Sequence, residues 1–81
     1  MKVYPNPNNG AFFIDFGKEI NQSDIYVLNM QGLVEYKESL SNISNAKFNL
    51  NLAKGVYILQ IVNDSEMINK KIIIDWKTRP V

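Results

Sequence analysis

The chain has 81 residues, nine Lys or Arg against eight Asp or Glu, a formal net charge of +1, and neither histidine nor cysteine. That length makes one small domain, which buries only roughly 60–65% of the surface its unfolded form exposes. The near-neutral charge selects no nucleic-acid or acidic partner, and the missing residue types exclude disulfides, thiolate zinc sites, and Ser-His-Asp or Cys-His catalysis.

Met1-Lys2 leads directly into Val3-Tyr4-Pro5 with no signal peptide in view, so the chain reads as a piece of a longer protein. A short first strand is expected at 2–4. Pro5 and Pro7 cannot donate to a ladder, so Tyr4 to Gly10 is a stiff loop. Phe12, Ile14 and Phe16 then share one face of a strand at 11–17. Asn21-Gln22-Ser23 reads as a turn into a strand at 24–30, where Ile25 and Val27 share a face. Met30-Gln31-Gly32 is a second turn, with Gly32 at positive φ, and Val34 and Tyr36 follow in a strand at 33–39.

Asn42 to Asn45 reads as the next turn. Beyond it, Phe48, Leu50 and Leu52 alternate with Asn49, Asn51 and Ala53 at 47–52, the cleanest period of two in the chain. Ala53-Lys54-Gly55 reads as another turn with a positive-φ glycine. The strand at 56–62 is apolar on both faces, which places it centrally, covered on both sides or paired on both edges. Asn63-Asp64-Ser65 turns the chain into a last strand at 67–75, carrying Lys70-Lys71 and three isoleucines.

Eleven asparagines punctuate these seven segments, and Asn suits turns because it tolerates positive φ and bonds its own backbone. No window carries a helical stripe. Short strands between regular turns are the pattern of an all-β sandwich or barrel with antiparallel neighbours, and two packed sheets bury such faces naturally. No apolar run approaches the roughly 18 residues of a spanning helix.

The acids sit singly, with no pairing for glycoside hydrolysis, and there is no phosphate loop or dinucleotide fingerprint. No cofactor or metal is implied. The Asn-x-Ser triplets at Asn21, Asn42 and Asn63 arise readily by chance where both residues crowd into turns. Phe13, Tyr26 and Trp76 could form a carbohydrate platform, although Trp76 more simply packs back over a sheet edge. Lys70, Lys71, Lys77 and Arg79 crowd the C-terminal end, where lysines on an edge strand also block unwanted pairing.

Three motifs in order resemble one family. Tyr4-Pro5-Asn6-Pro7 with Asn9-Gly10 looks like the opening of the C-terminal sorting domain of the type IX secretion system of Bacteroidetes. Ile25 to Gly32 is similar to that family's strand ending in a turn glycine. Leu52 to Tyr57 and Lys70 to Ile74 are similar to its closing motif. The resemblance covers residues 3 to 74. It implies an immunoglobulin-like β-sandwich of about seven short, mainly antiparallel strands over residues 1–75, with 76–81 as a tail, either a native extension or added sequence.

It also implies a non-catalytic role, an address that takes an upstream cargo domain from the periplasm through the outer-membrane translocon to the cell surface or beyond. A sortase-like cysteine protease then removes the domain. On this reading Lys70, Lys71, Ile72, Ile73 and Ile74 are the candidate translocon contacts, by strand addition and by charge. Pro5, Asn6, Pro7, Gly10, Gly32, Gly55 and Tyr57 are scaffold, and the exposed edges allow self-association. The alternative is a structural or adhesive module like a fibronectin type III repeat, or a carbohydrate-binding module.

Overall fold

A computed structural model of the chain describes residues 1–63 and 66–75. Most of the turn expected at Asn63-Asp64-Ser65 and the whole tail 76–81, with Trp76, lie outside the described residues. The described residues form five strands: β1 (Lys2–Tyr4), β2 (Ala11–Leu28), β3 (Val34–Asn49), β4 (Gly55–Val62) and β5 (Met67–Ile74). All are antiparallel neighbours in one curled sheet, ordered β1-β2-β4-β5 with β3 on the other edge of β2.

Five strands replace the expected seven because two of the expected turns are not turns. Asn21-Gln22-Ser23 lies inside β2, and Asn42 to Asn45 lies inside β3. The ladder between β2 and β3 instead bulges just before the first of these and beside the second. Between the pairs Asp15–Asn45 and Ile20–Ile43 it takes five steps along β2 against two along β3. Gly17 (φ 78°) supplies a positive-φ position inside this irregularity, and Asn42 (φ 53°) a second just beyond it on β3. An unbent strand of 18 residues would span roughly 57 Å at about 3.3 Å per residue. The longest dimension of the molecule is 40 Å, so β2 must bend.

The parity of burial along β2 reverses between Ile20 and Ser23. Phe12, Ile14, Phe16 and Ile20 point inward on the N-terminal side, and Ser23, Ile25 and Val27 on the C-terminal side. The first half of β2 carries β1 on its free edge and the second half carries β4. Both halves feed one core of Phe12, Ile14, Phe16, Ile20, Ile25, Val27, Phe48, Tyr57, Leu59, Ile61, Ile72 and Ile74. Phe12 and Phe48 stack across β2 and β3 at 5.2 Å, with Tyr36 edge-on to Phe48.

β4 is central, paired on both edges by β2 and β5, while Val56, Ile58, Gln60 and Val62 occupy its more open face. The strand expected at 47–52 ends at Asn49; Leu50 and Leu52 leave the ladder but still pack on the core. The turn at Met30–Gly32 forms as expected, with Gly32 at φ 86°. Asn29 builds it, its Oδ1 accepting from the N–H groups of Gln31 (2.9 Å) and Leu33 (3.0 Å). Gly55 departs from expectation. It is not at positive φ but begins β4, so extended backbone suffices there.

Candidate functional site

The site is built where the chain's opening meets its close. After β1 the residues Pro5 to Gly10 cross to the outer edge of β5 and bond to it, with Tyr4–Pro5 and Asn6–Pro7 as cis peptides. Two prolines leave this loop without the N–H groups of a regular strand, so a side chain takes over. The Asn6 amide donates from Nδ2 to the Lys71 carbonyl (3.1 Å) and accepts at Oδ1 from the Ile73 N–H (2.9 Å). It thus presents one donor and one acceptor to a strand edge, as a neighbouring peptide group would.

Asn8 continues the mimicry with its backbone. Its N–H donates to the Ile73 carbonyl (2.9 Å), and its carbonyl accepts from the Asp75 N–H (2.8 Å), a parallel bridge at Ile74. Its side chain is buried and fully used, Oδ1 accepting from the Gly10 N–H (2.8 Å) and Nδ2 donating to the Pro5 carbonyl (3.1 Å). Gly10 (φ 108°) then lets the chain pass against Leu50, just beyond β3. A Cβ there would lie 2.2 Å from the Leu50 carbonyl oxygen, which only glycine avoids.

The closing hairpin has its own anchor. Tyr57 is 7% exposed, and its hydroxyl donates to the Ala53 carbonyl (2.6 Å), tying down the Ala53-Lys54-Gly55 turn. Burial holds that hydroxyl above the ordinary phenol value, with the Glu35 carboxylate adding to the push. On β3 the Tyr36 hydroxyl donates to Glu38, and that bond first, then burial, raises it likewise.

β4 and β5 run in one uninterrupted register from Gly55–Ile74 to Val62–Met67. Side chains therefore alternate strictly along β5. Ile72 and Ile74 fill the core at 0% and 1% exposure, while Met67, Asn69, Lys71 and Ile73 share the opposite face. Of the five residues Lys70 to Ile74, the fold leaves Lys70, Lys71 and Ile73 for a partner to reach, and Ile73 has both backbone groups engaged by the loop. Lys70 and Lys71, adjacent in sequence, point to opposite faces of the sheet.

Lys70 turns to the core side, where it lines an open groove of about 630 Å³ with Met1, Lys2, Val3, Tyr4 and Asp15. Phe13 and Tyr26 do not make one platform. Phe13 stacks on Tyr4 at 5.6 Å on the first half of β2, and Tyr26 lies under the Lys37 ammonium at 5.5 Å on the second. Among the described residues no group of three or more His, Cys, Asp or Glu could hold a metal ion, and no helix is long and apolar enough to cross a membrane.

Sequence reasoning finds Pro5, Asn6, Pro7 and Gly10 but misses Asn8 and Asn29. One of eleven asparagines carries no mark of its burial, and only the register of distant strands reveals it. A family model described as a secretion system C-terminal sorting domain matches residues 2–75. No curated protein matches the chain.

Proposed function

The chain belongs to the type IX secretion C-terminal sorting domain family, and from that premise we propose that it is a non-catalytic address read by the outer-membrane translocon. An upstream cargo domain reaches the periplasm by its own signal, passes through the translocon under direction of this domain, and arrives at the cell surface or outside. A sortase-like cysteine protease then cuts upstream of residue 1. The loop Tyr4–Gly10 sets the entry from the linker that holds the scissile bond, and the closing hairpin is the element recognised.

One observation carries the reading: the opening and closing motifs interlock. Asn6 bonds residues 65 and 67 positions away, so the two motifs form a single surface at the β5 edge. Gly10, Gly32 and Tyr57 have local structural reasons to be present. The motif residues thus fix β5 in place and cap the upper part of its edge, leaving the lower part for recognition by strand addition. The immunoglobulin-like description is supported by the two halves of β2 sharing one core.

The test fuses the 81-residue chain to the C-terminus of a periplasm-directed fluorescent reporter in a type IX-competent cell. Surface delivery that disappears when the translocon is deleted is the expected result. A folded fusion that stays in the periplasm would sink the reading.

A further inference from the structure

The edge of β5 is capped along only half its length. The N–H groups of Ile73 and Asp75 and the carbonyls of Lys71 and Ile73 point outward and are bonded by Asn6 and Asn8. Outward groups alternate with inward ones along a strand, so Met67 and Asn69 continue the same edge. The Asn63 N–H donates to the Glu66 carbonyl, which fixes the even-numbered residues of β5 as those that bond β4. No described residue pairs with β5 on its outer side below Lys71. β1 is also an edge strand of the sheet, and it lies across the groove from Lys70.

We propose that this groove receives an extended, carboxylate-bearing segment of the translocon, which adds as a strand to Met67–Lys71 with β1 as its opposite wall. The proposal rests on the sorting function and names its contact. Three observations select that occupant. The upper half of the same edge already accepts backbone bonds from a non-strand segment, so the edge is competent for pairing. Val3 lines the groove, and Ile68 shares the core-side face of β5 with Lys70; both lie partly buried against the core, ready to pack under an added strand. Lys2 and Lys70 outnumber Asp15, one of whose oxygens already accepts from the Gly17 N–H (2.9 Å), so an acidic segment complements the lining. The Lys71 side chain, on the opposite face, does not reach the groove.

The test compares Asn69→Pro, Lys70→Glu, Lys70→Arg and Lys71→Glu in the reporter fusion described above, alongside melting of each purified chain. Proline at 69 removes an outward N–H that β4 does not use, so it blocks an incoming strand while sparing the ladder. The expected result is surface delivery lowered about tenfold or more by Asn69→Pro and Lys70→Glu, and changed by less than about twofold in Lys70→Arg and Lys71→Glu. The Lys70 variants keep the parent's melting temperature, so the comparison stands even if Asn69→Pro unfolds. Parent-like delivery of Lys70→Glu, or equal damage from Lys71→Glu, overturns the groove while leaving the sorting function intact. Retention of the unsubstituted fusion overturns both. A dimer of the unsubstituted chain that Asn69→Pro dissociates would put a second copy in the groove and also overturn the proposal.

Discussion

Replacing Gly10 with alanine is the sharpest single perturbation of the loop that holds β5. Two costs add. Backbone at φ 108° belongs to glycine, and a residue with a Cβ held there costs about 1–3 kcal/mol. The new Cβ also lies 2.2 Å from the Leu50 oxygen, so the chains must part, which threatens the Leu50 N–H bond to the Gly10 carbonyl (2.7 Å). Losing that bond costs about 1 kcal/mol more.

A loss of about 2–4 kcal/mol is large for a domain whose total stability is roughly 4–12 kcal/mol at this length. It corresponds to a melting temperature lower by roughly 10–30 °C. Far-UV circular dichroism during heating reads it directly. Gly17→Ala is the control, because Gly17 is also at positive φ (78°) but a Cβ there meets nothing within 4 Å. Gly17→Ala should therefore cost about 1–2 kcal/mol, the conformational part alone. Equal melting of the Gly10 and Gly17 variants would refute the close-contact argument.

Four further outcomes follow from the same geometry. Gly55→Ala should be neutral or stabilising by up to about 1 kcal/mol, since its φ is ordinary and the nearest atom to a Cβ is Tyr57 Cε1 at 3.8 Å; a denaturant midpoint lower than the parent's contradicts this. Ile72→Ala should cost about 2–5 kcal/mol and Ile73→Ala much less, because only Ile72 is wholly buried; comparable losses in urea melts would mean the β5 faces are misassigned. Asn6→Ala uncovers the Lys71 carbonyl and the Ile73 N–H, so concentration-dependent association should rise in sedimentation velocity, and an unchanged monomer counts against the cap. The raised Tyr57 and Tyr36 hydroxyls favour the neutral form in the folded state, so their stabilisation is complete below the ordinary phenol value of 10.0 and fades as pH rises through the folded values. The double variant Tyr36→Phe with Tyr57→Phe should flatten the fall in stability above pH 10, and an unaltered slope would remove these groups as its cause.

The all-β character, the Pro loop, the Gly32 turn and the inward faces of Phe12, Ile25, Leu59 and Ile72 were legible in the sequence because alternation and turn chemistry are local. Strand number was not. Asn21–Ser23 and Asn42–Asn45 have turn composition, and composition does not separate a turn from the stretch beside a bulge in one long hairpin. That distinction depends on which residues pair across β2 and β3. The site was half legible for the same reason. Lys70 and Lys71 are visible as a pair in sequence, yet the alternation of a strand sends them to different faces, and the mates of Asn6 and Asn8 lie more than sixty residues away.

That separation has a consequence in time. The Asn6 amide and the Asn8 backbone leave the ribosome early, yet the groups they bond, Lys71 to Asp75, follow only after almost the whole domain has been made. Contacts that join the two ends of a chain carry the largest loop-closure cost, and they reward it last. A strand capped in this half-and-half way therefore exists only once synthesis has passed residue 75 and the ends have met. The cap works as a certificate of completion: a truncated or stalled chain cannot display the same edge.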